Sequence, residues 1–325
     1  MQQEEDTQAE WFAYRMSSRM SSQPLVYFPA VPRPDQIIGA FKQLSKRKKT
    51  AYLNLTAPCK APTAAPAKED YEAYIRRVWE SNAIDPFTPE ADWTNSRAPL
   101  GSDARAIYPV SARLNHSCTP NCVRSFDTSD PPKARLHVVR NIAAGEELTI
   151  AYAHVHSVTC TDQSTTLCGG FNNPEWGVDV CTGWSVRRQA IRDLGFECDC
   201  KACNRSDKLF RLYNARRERI AELFERLNDR SITPSMANID ALIEDHLSCA
   251  NELVAWLEEE GLVGVELARA YAHARAYETM HSPSKRYRAT EVQWKYLDII
   301  QACYGKDSAA YKQAELLMAI LRRRP

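Results

Sequence analysis

No stretch of the 325-residue chain approaches the ~18 consecutive apolar residues that a membrane-spanning helix needs, so no membrane span is expected. A charge imbalance is missing too. The 42 Lys and Arg nearly cancel the 41 Asp and Glu, for a net charge of +1. That balance removes the general electrostatic case for a nucleic-acid or membrane-surface partner. Two short basic runs, Lys46-Arg47-Lys48-Lys49 and Arg322-Arg323-Arg324, read as solvated helix faces or ends. The opening residues, MQQEEDTQAEWF, are acidic and have no apolar centre, unlike a secretory signal. The expected location is therefore intracellular, in cytoplasm, nucleus or both. Structural disulfides are rare there, so the 11 cysteines are better explained by metal ligation and a few buried thiols.

What is present is concentrated. Asn115-His116-Ser117-Cys118-Thr119-Pro120-Asn121 packs amides, an imidazole, a hydroxyl and a thiol into one short run. Pro120 forbids a continuing helix, and little in the run could form an apolar core. Further along, CDCKAC sets Cys198, Cys200 and Cys203 in a C-x-C-x2-C spacing. Thiolates this close can converge on one ion, and zinc favours four ligands in a closed tetrahedron. Cys118 is the best candidate for the fourth, because it lies in a polar run that needs fixing. The alternative is a set of surface thiols or a redox pair. Cys160, Cys168 and Cys181 could form a second site with His154 or His156, although their spacings match no common zinc pattern.

Around these runs the chain is punctuated as follows. Residues 1–22 are polar and without period, and are expected to be disordered. PLVYFPAV at 24–31 suits a short edge strand. A helix is predicted from Asp35, which can cap it, with Ile37, Ile38, Phe41 and Leu44 on one face. After a Pro/Ala loop at 57–68, helical spacing resumes at Tyr71, Tyr74, Ile75, Val78 and Trp79. Residues 83–106, with Pro86, Pro89 and Pro99, read as irregular. ARLHVV at 134–139 and ELTIAY at 147–152 have strand composition, and the turn at Gly145 between them predicts a hairpin-like region. Residues 153–186 read as a long insertion.

From about residue 206 the character changes to successive amphipathic helices. Leu209, Leu212, Ile220, Leu223 and Leu227 form one stripe. Ile239, Leu242, Ile243, Leu247, Leu253, Val254 and Leu257 form the next, opened by Thr233-Pro234 as cap and first helical residue. Leu267, Tyr271, Ala274 and Tyr277 follow, then Val292, Tyr296, Ile299, Ile300 and Cys303, stopped by Gly305. Tyr311, Ala314, Met318 and Leu321 finish the chain. Short connections predict antiparallel pairs, and the aromatics read as core.

NHSCTPN, then GEELTIAY at 145–152, then FECDCKAC at 196–203 together resemble the SET-domain protein-lysine methyltransferase family. Within it they look like the SET–MYND group and its fungal SET relatives, without a visible MYND zinc finger. The resemblance implies an α+β fold: small SET-type β-sheets with a pseudoknot and a helical insert, a post-SET zinc site, then an all-α C-terminal region of antiparallel helix pairs. It sets a SET domain lacking its first strands at 23–152, the insertion at 153–186, a post-SET zinc segment at 187–205 and a tetratricopeptide-like helical domain at 206–325. Matched motif by motif, Leu114, Asn115 and His116 would contact S-adenosyl-L-methionine, with Asn95 near its methionine carboxylate and Phe196 stacked on its adenine. Tyr152 would be the active-site tyrosine. Cys118, Cys198, Cys200 and Cys203 would hold Zn2+, in line with the fourth ligand inferred from the residues. The family's Gly-x-Gly turn, where backbone approaches the cofactor closely, has no counterpart; the first glycine is Gly39.

Methyl transfer to a lysine is an in-line displacement that needs a neutral amine, and a desolvated lysine loses its proton readily. Catalysis is then mostly alignment and electrostatics, which suits a tyrosine hydroxyl set among aromatic walls. The expected partner is a lysine-bearing protein, histone or non-histone, with no direct nucleic-acid or membrane contact, and the chain is expected to be a monomer. Two other readings stand beside this one. A truncated or degenerate SET protein could act as a peptide-binding scaffold through its C-terminal helices, although no clear 34-residue period is visible. A purely structural zinc protein would depend on metal and bind no ligand.

Overall fold

The computed structural model describes residues 22–55, 68–84, 104–127, 129, 131–152, 183–193, 195–204, 207–229, 238–281 and 286–323. The expectations for 1–21, for the Pro/Ala loop beyond residue 55, for Asn95, and for His154, His156, Cys160, Cys168 and Cys181 lie outside the described residues. The chain divides into two units. One comprises Met1–Pro89, Pro99–Asn115 and Arg124–Leu136; the other comprises Glu90–Ala98, His116–Val123 and His137–Pro325.

In the first unit, Pro34 opens helix α1 (Pro34–Gln43), where its fixed φ suits the first helical position. Arg33, not Asp35, occupies the N-cap position, and its main-chain N–H donates to Gln36 Oε1 at 2.8 Å. Asp35 sits in the first turn, where its charge complements the helix dipole instead. Ile37, Ile38 and Phe41 face the core as expected. Helix α2 (Lys46–Leu53) starts at Ser45, whose hydroxyl accepts from the Lys48 N–H. The basic run falls in its first turns, with Lys46, Arg47 and Lys48 exposed. Tyr52 is fully buried and donates to the Ile75 carbonyl of helix α3 (Lys68–Asn82) at 2.9 Å, while Tyr74 donates back to Leu53 at 3.3 Å. Two buried hydroxyls thus reach carbonyls across the α2–α3 contact, so neither carries an unmet desolvation cost.

Strand β1 (Val26–Phe28) pairs antiparallel with β2 (Arg105–Ile107), Val26 opposite Ile107. Phe28 meets Trp79 edge-on at 5.3 Å. Strand β2 lies at the end of the segment read as irregular, and Ile84 also bridges to Ala106. A three-residue strand is too short to show a period of two, and three prolines just before it hide the signal.

Strand β3 (Asn115–His116) leads into the second unit, and β4 (Cys122–Phe126) and β5 (Ala134–Val138) carry the chain between the two units. β4 pairs with β5, and β3 pairs with β6 (Thr149–Ile150). The predicted hairpin between ARLHVV and ELTIAY therefore does not form. Both segments are strands, but each takes a partner from the polar run's side, and Gly145, at φ +82°, turns the chain between sheets.

The rest of the second unit is helical: α4 (Trp184–Asp193), α5 (Asp207–Asn228), α6 (Ile239–Glu259), α7 (Val265–His281), α8 (Arg286–Tyr304) and α9 (Ala309–Arg323). From α5 onward each helix packs on the next, as the short connections predicted. Ile220, Leu223, Phe224, Leu253, Leu257 and Ile300 are fully buried in one cluster. Each such side chain contributes about 1.5–3 kcal/mol by leaving water. Leu209 and Leu212, placed on the α5 stripe by spacing, are half-exposed; the stripe begins later, at Ile220. Helix α6 starts at Ile239 with Asn238 at the N-cap position, so Thr233-Pro234 precedes the helix and lies outside the described residues. Gly305, at φ +82°, stops α8 as expected. Among the described residues no helix is long and apolar enough to cross a membrane.

Candidate functional site

Strands of two residues cannot hold themselves together, so side chains do it. Asn121 is buried, and its amide serves both sheets' connections. Nδ2 donates to the Glu147 carbonyl at 2.8 Å and to Glu146 Oε1 at 3.2 Å, while Oδ1 accepts from the Thr149 N–H at 2.8 Å. Its own carbonyl accepts from the Val139 N–H at 3.0 Å. Glu146 also takes Arg140 Nη2 at 2.7 Å and the Ala143 N–H at 3.1 Å. The Arg140 guanidinium is the main reason its carboxyl is pulled down to about 2. The end of NHSCTPN is thereby pinned to the GEEL turn, which fixes where Tyr152 emerges.

The start of the motif is pinned by His116. The Ser117 N–H donates to the Ile150 carbonyl at 3.0 Å. His116 Nδ1 accepts from the Tyr152 N–H at 3.1 Å, and Nε2 lies 3.3 Å from Cys118 Sγ. The ring is buried, and burial pushes its pKa down to about 4, opposed by negative charge at Cys200 and reinforced by Arg187. The imidazole is therefore neutral near pH 7, with both nitrogens engaged within the protein. His116, Tyr152 and Phe196 form an aromatic triangle. Ring centroids are 5.5 Å apart for His116–Tyr152, 6.0 Å for His116–Phe196 and 5.7 Å for Tyr152–Phe196. Tyr152 remains 38% exposed and can meet another molecule.

The cysteines predicted to share a metal do come together. The Sγ atoms of Cys118, Cys198, Cys200 and Cys203 all lie within 4.8 Å of one another, and Cys118 and Cys203 are 3.6 Å apart. Sulfurs about 2.3 Å from a tetrahedral zinc would sit about 3.8 Å apart, so the set fits. The CDCKAC segment curls to allow this: the Cys200 carbonyl accepts from the N–H groups of Cys203 and Asn204, both at 2.8 Å. Cys118 is fully buried beneath Ile191 of α4 and Ala202. Hydrogen bonds among the thiols raise the Cys118 pKa and lower that of Cys200. The four residues can hold a metal ion, and an all-thiolate tetrahedron matches a closed structural zinc site.

Several residues escaped the sequence reading. Arg217 of α5 is buried; its Nε donates to Glu260 Oε2 at 2.9 Å and its Nη1 to the Cys118 carbonyl at 3.3 Å. Its signal was present: Arg217 shares a helix face with Ile220 and Phe224, and a charge on a buried stripe demands a partner. Arg187, buried on α4, was likewise passed over, and Asn121 was read only as part of the polar run. Of the other predicted contacts, buried Leu114 and exposed Asn115 end the first unit directly before His116 in the chain. Asn95 lies outside the described residues.

Comparison with known proteins agrees with this geometry. Residues 8–153 match the family model described as SET domain. The chain is 36% identical over 103 residues to mouse "Histone-lysine N-methyltransferase SMYD3", covering 31% of this chain and 18% of that protein. To the human protein of the same name it is 30% identical over 144 residues, 44% of this chain and 24% of that one. To "Putative SET domain-containing protein L678" of Acanthamoeba polyphaga mimivirus it is 31% identical over 110 residues, 34% of this chain and 32% of that one. The match thus spans no more than about a quarter of the mammalian relatives. The SET match includes the Asn115–Asn121 run and ends one residue past Tyr152, the two features that the geometry ties together. Residues 8–153 of this chain are thus similar to a SET domain.

Proposed function

We propose that this chain is a protein-lysine N-methyltransferase that uses S-adenosyl-L-methionine, with Zn2+ in the four-cysteine site. The observation that carries the reading is Tyr152: a partly exposed phenol between two aromatic rings, its main chain tied to the NHSC run. When bound, S-adenosyl-L-methionine supplies an electrophilic methyl group on a cationic sulfonium. The ring faces of Phe196 and Tyr152 suit an adenine and a cation, and the motif match gives Asn115 and Leu114 further polar and apolar cofactor contacts. The Tyr152 hydroxyl accepts CH···O contacts and orients the lysine amine. Aromatic walls keep water off that amine, which favours its neutral, nucleophilic form. Cys118, Cys198, Cys200 and Cys203 would hold the zinc, which fixes Phe196 two residues before the first CDCKAC thiol.

The printed names of the relatives support a lysine-bearing protein substrate, with histones the first candidates. All the cysteines among the described residues are free thiols, which fits a reducing compartment, cytoplasm or nucleus. Incubating the metal-loaded chain with methyl-labelled S-adenosyl-L-methionine and either core histones or a whole-cell protein extract tests the reading. Label on lysine, lost in Tyr152→Phe, is expected. Absence of labelled lysine from both substrate pools contradicts it and favours the scaffold reading for helices α5–α9.

A further inference from the structure

We propose that His116 is a positioning residue that couples metal loading at Cys118 to the placement of Tyr152. The inference rests on the reading that Tyr152 serves the reaction and that the four thiols hold zinc. It starts from hydrogen-bond roles. A main-chain N–H can only donate, so His116 Nδ1, 3.1 Å from the Tyr152 nitrogen, is the acceptor and carries no proton. In a neutral imidazole the proton then sits on Nε2, which lies 3.3 Å from Cys118 Sγ. Nε2 donates and the sulfur accepts, so a single ring bridges the main chain of Tyr152 and one metal ligand.

That bridge is held on several sides. His116 is buried, held in β3, and flanked by the Tyr152 and Phe196 rings. Cys118 is itself fixed from the other side by Arg217, which donates to its carbonyl. A thiolate bound to zinc keeps a lone pair for an N–H donor, and such outer contacts orient the ligand and tune its hold on the metal. Zinc at Cys118 then fixes the ring, and the ring fixes the Tyr152 amide. Without metal the thiols rearrange and the ring loses one anchor. His116 thus acts through Tyr152 and Cys118, and its ring nitrogens are committed to the protein.

Two substitutions separate the two bonds. His116→Asn keeps an acceptor near the Nδ1 position and removes the donor to sulfur. His116→Gln keeps a donor near the Nε2 position and removes the acceptor for Tyr152. In the full chain, zinc affinity is read by chelator competition, and the Tyr152 amide by selective 15N-tyrosine labelling, its resonance assigned through Tyr152→Phe. His116→Asn is expected to weaken zinc by about tenfold or more while leaving the Tyr152 amide near its wild-type shift. His116→Gln is expected to leave zinc affinity nearly unchanged and to move the Tyr152 amide upfield. In the unsubstituted chain, stripping the zinc should shift the Tyr152 resonance. The proposal is overturned if zinc removal leaves that resonance in place, or if both variants hold zinc as the wild type does. A chain that shows the coupling but transfers no methyl group supports this inference and contradicts the proposed function.

Discussion

The helical region and the motif segment solve the same problem by opposite means. Helices α5–α9 are held by many apolar side chains spread along long, regular elements, with Leu253, Leu257 and Ile300 fully buried. The residues that place Tyr152, 116–121 and 146–150, lie in or beside two-residue strands and are held largely by Asn121, His116, Glu146 and a cluster of thiols. Dispersed packing tolerates single losses and is insensitive to pH and metal. A polar lattice concentrates its stability in a few groups and makes the segment precise but conditional. That is the arrangement expected where a reactive side chain must be placed accurately. One buried ion pair joins the two regions, because Arg217 of α5 reaches the Cys118 carbonyl while paired to Glu260.

The sharpest way to break the contrast is to remove the metal. Chelation, or Cys200→Ser, is expected to loosen the motif segment and to leave most of the far-UV helical signal intact. Near-UV circular dichroism together with far-UV melting checks this; structural zinc sites can carry on the order of 10 kcal/mol of folding free energy. Next comes the joint between the regions. Arg217→Met removes the closer of the two guanidinium partners of buried Glu260, leaving Arg216 Nη1 at 3.6 Å, and should cost about 1.5–3 kcal/mol by urea unfolding. The double change Arg217→Met with Glu260→Leu should recover part of that loss, because an apolar pair removes both desolvation costs while Arg216 keeps Glu259 as its partner.

Within the bundle, Leu253→Ala should cost about 2–5 kcal/mol, whereas Leu209→Ala, on the half-exposed first turn of α5, should stay within about 0.5 kcal/mol. The same urea titrations report both. The smallest effect is the pH response of the motif turn. Glu146 titrates near 2 in the folded chain against an ordinary 4.5. Its contribution is thus complete above about 4.5 and is lost as pH falls through about 2. The stability gap between wild type and Glu146→Gln should shrink across that window, and bundle substitutions should leave the shrinkage unchanged.

What the sequence made legible follows the same division. Cys118, Cys198, Cys200 and Cys203 could be read because thiols at that spacing can converge on one ion, and they do converge. His116, Tyr152 and Phe196 could be singled out through the family's motifs, and they meet as one triangle. The bundle helices could be read from periodicity. Pairing could not: β5 and β6 looked like one hairpin because composition marks a strand without naming its partner, and the partner was chosen by Asn121. Strand β2 was too short to carry a pattern. Arg217 was passed over because a charge within a helix reads as solvent-facing until its stripe is followed through Ile220 and Phe224.

Calorimetric titration of S-adenosyl-L-methionine into the zinc-loaded full chain tests the central claim most directly. Saturable single-site binding in the micromolar range, lost after the zinc is stripped, is the predicted result. A zinc-loaded, folded chain that gives no binding heat would contradict it.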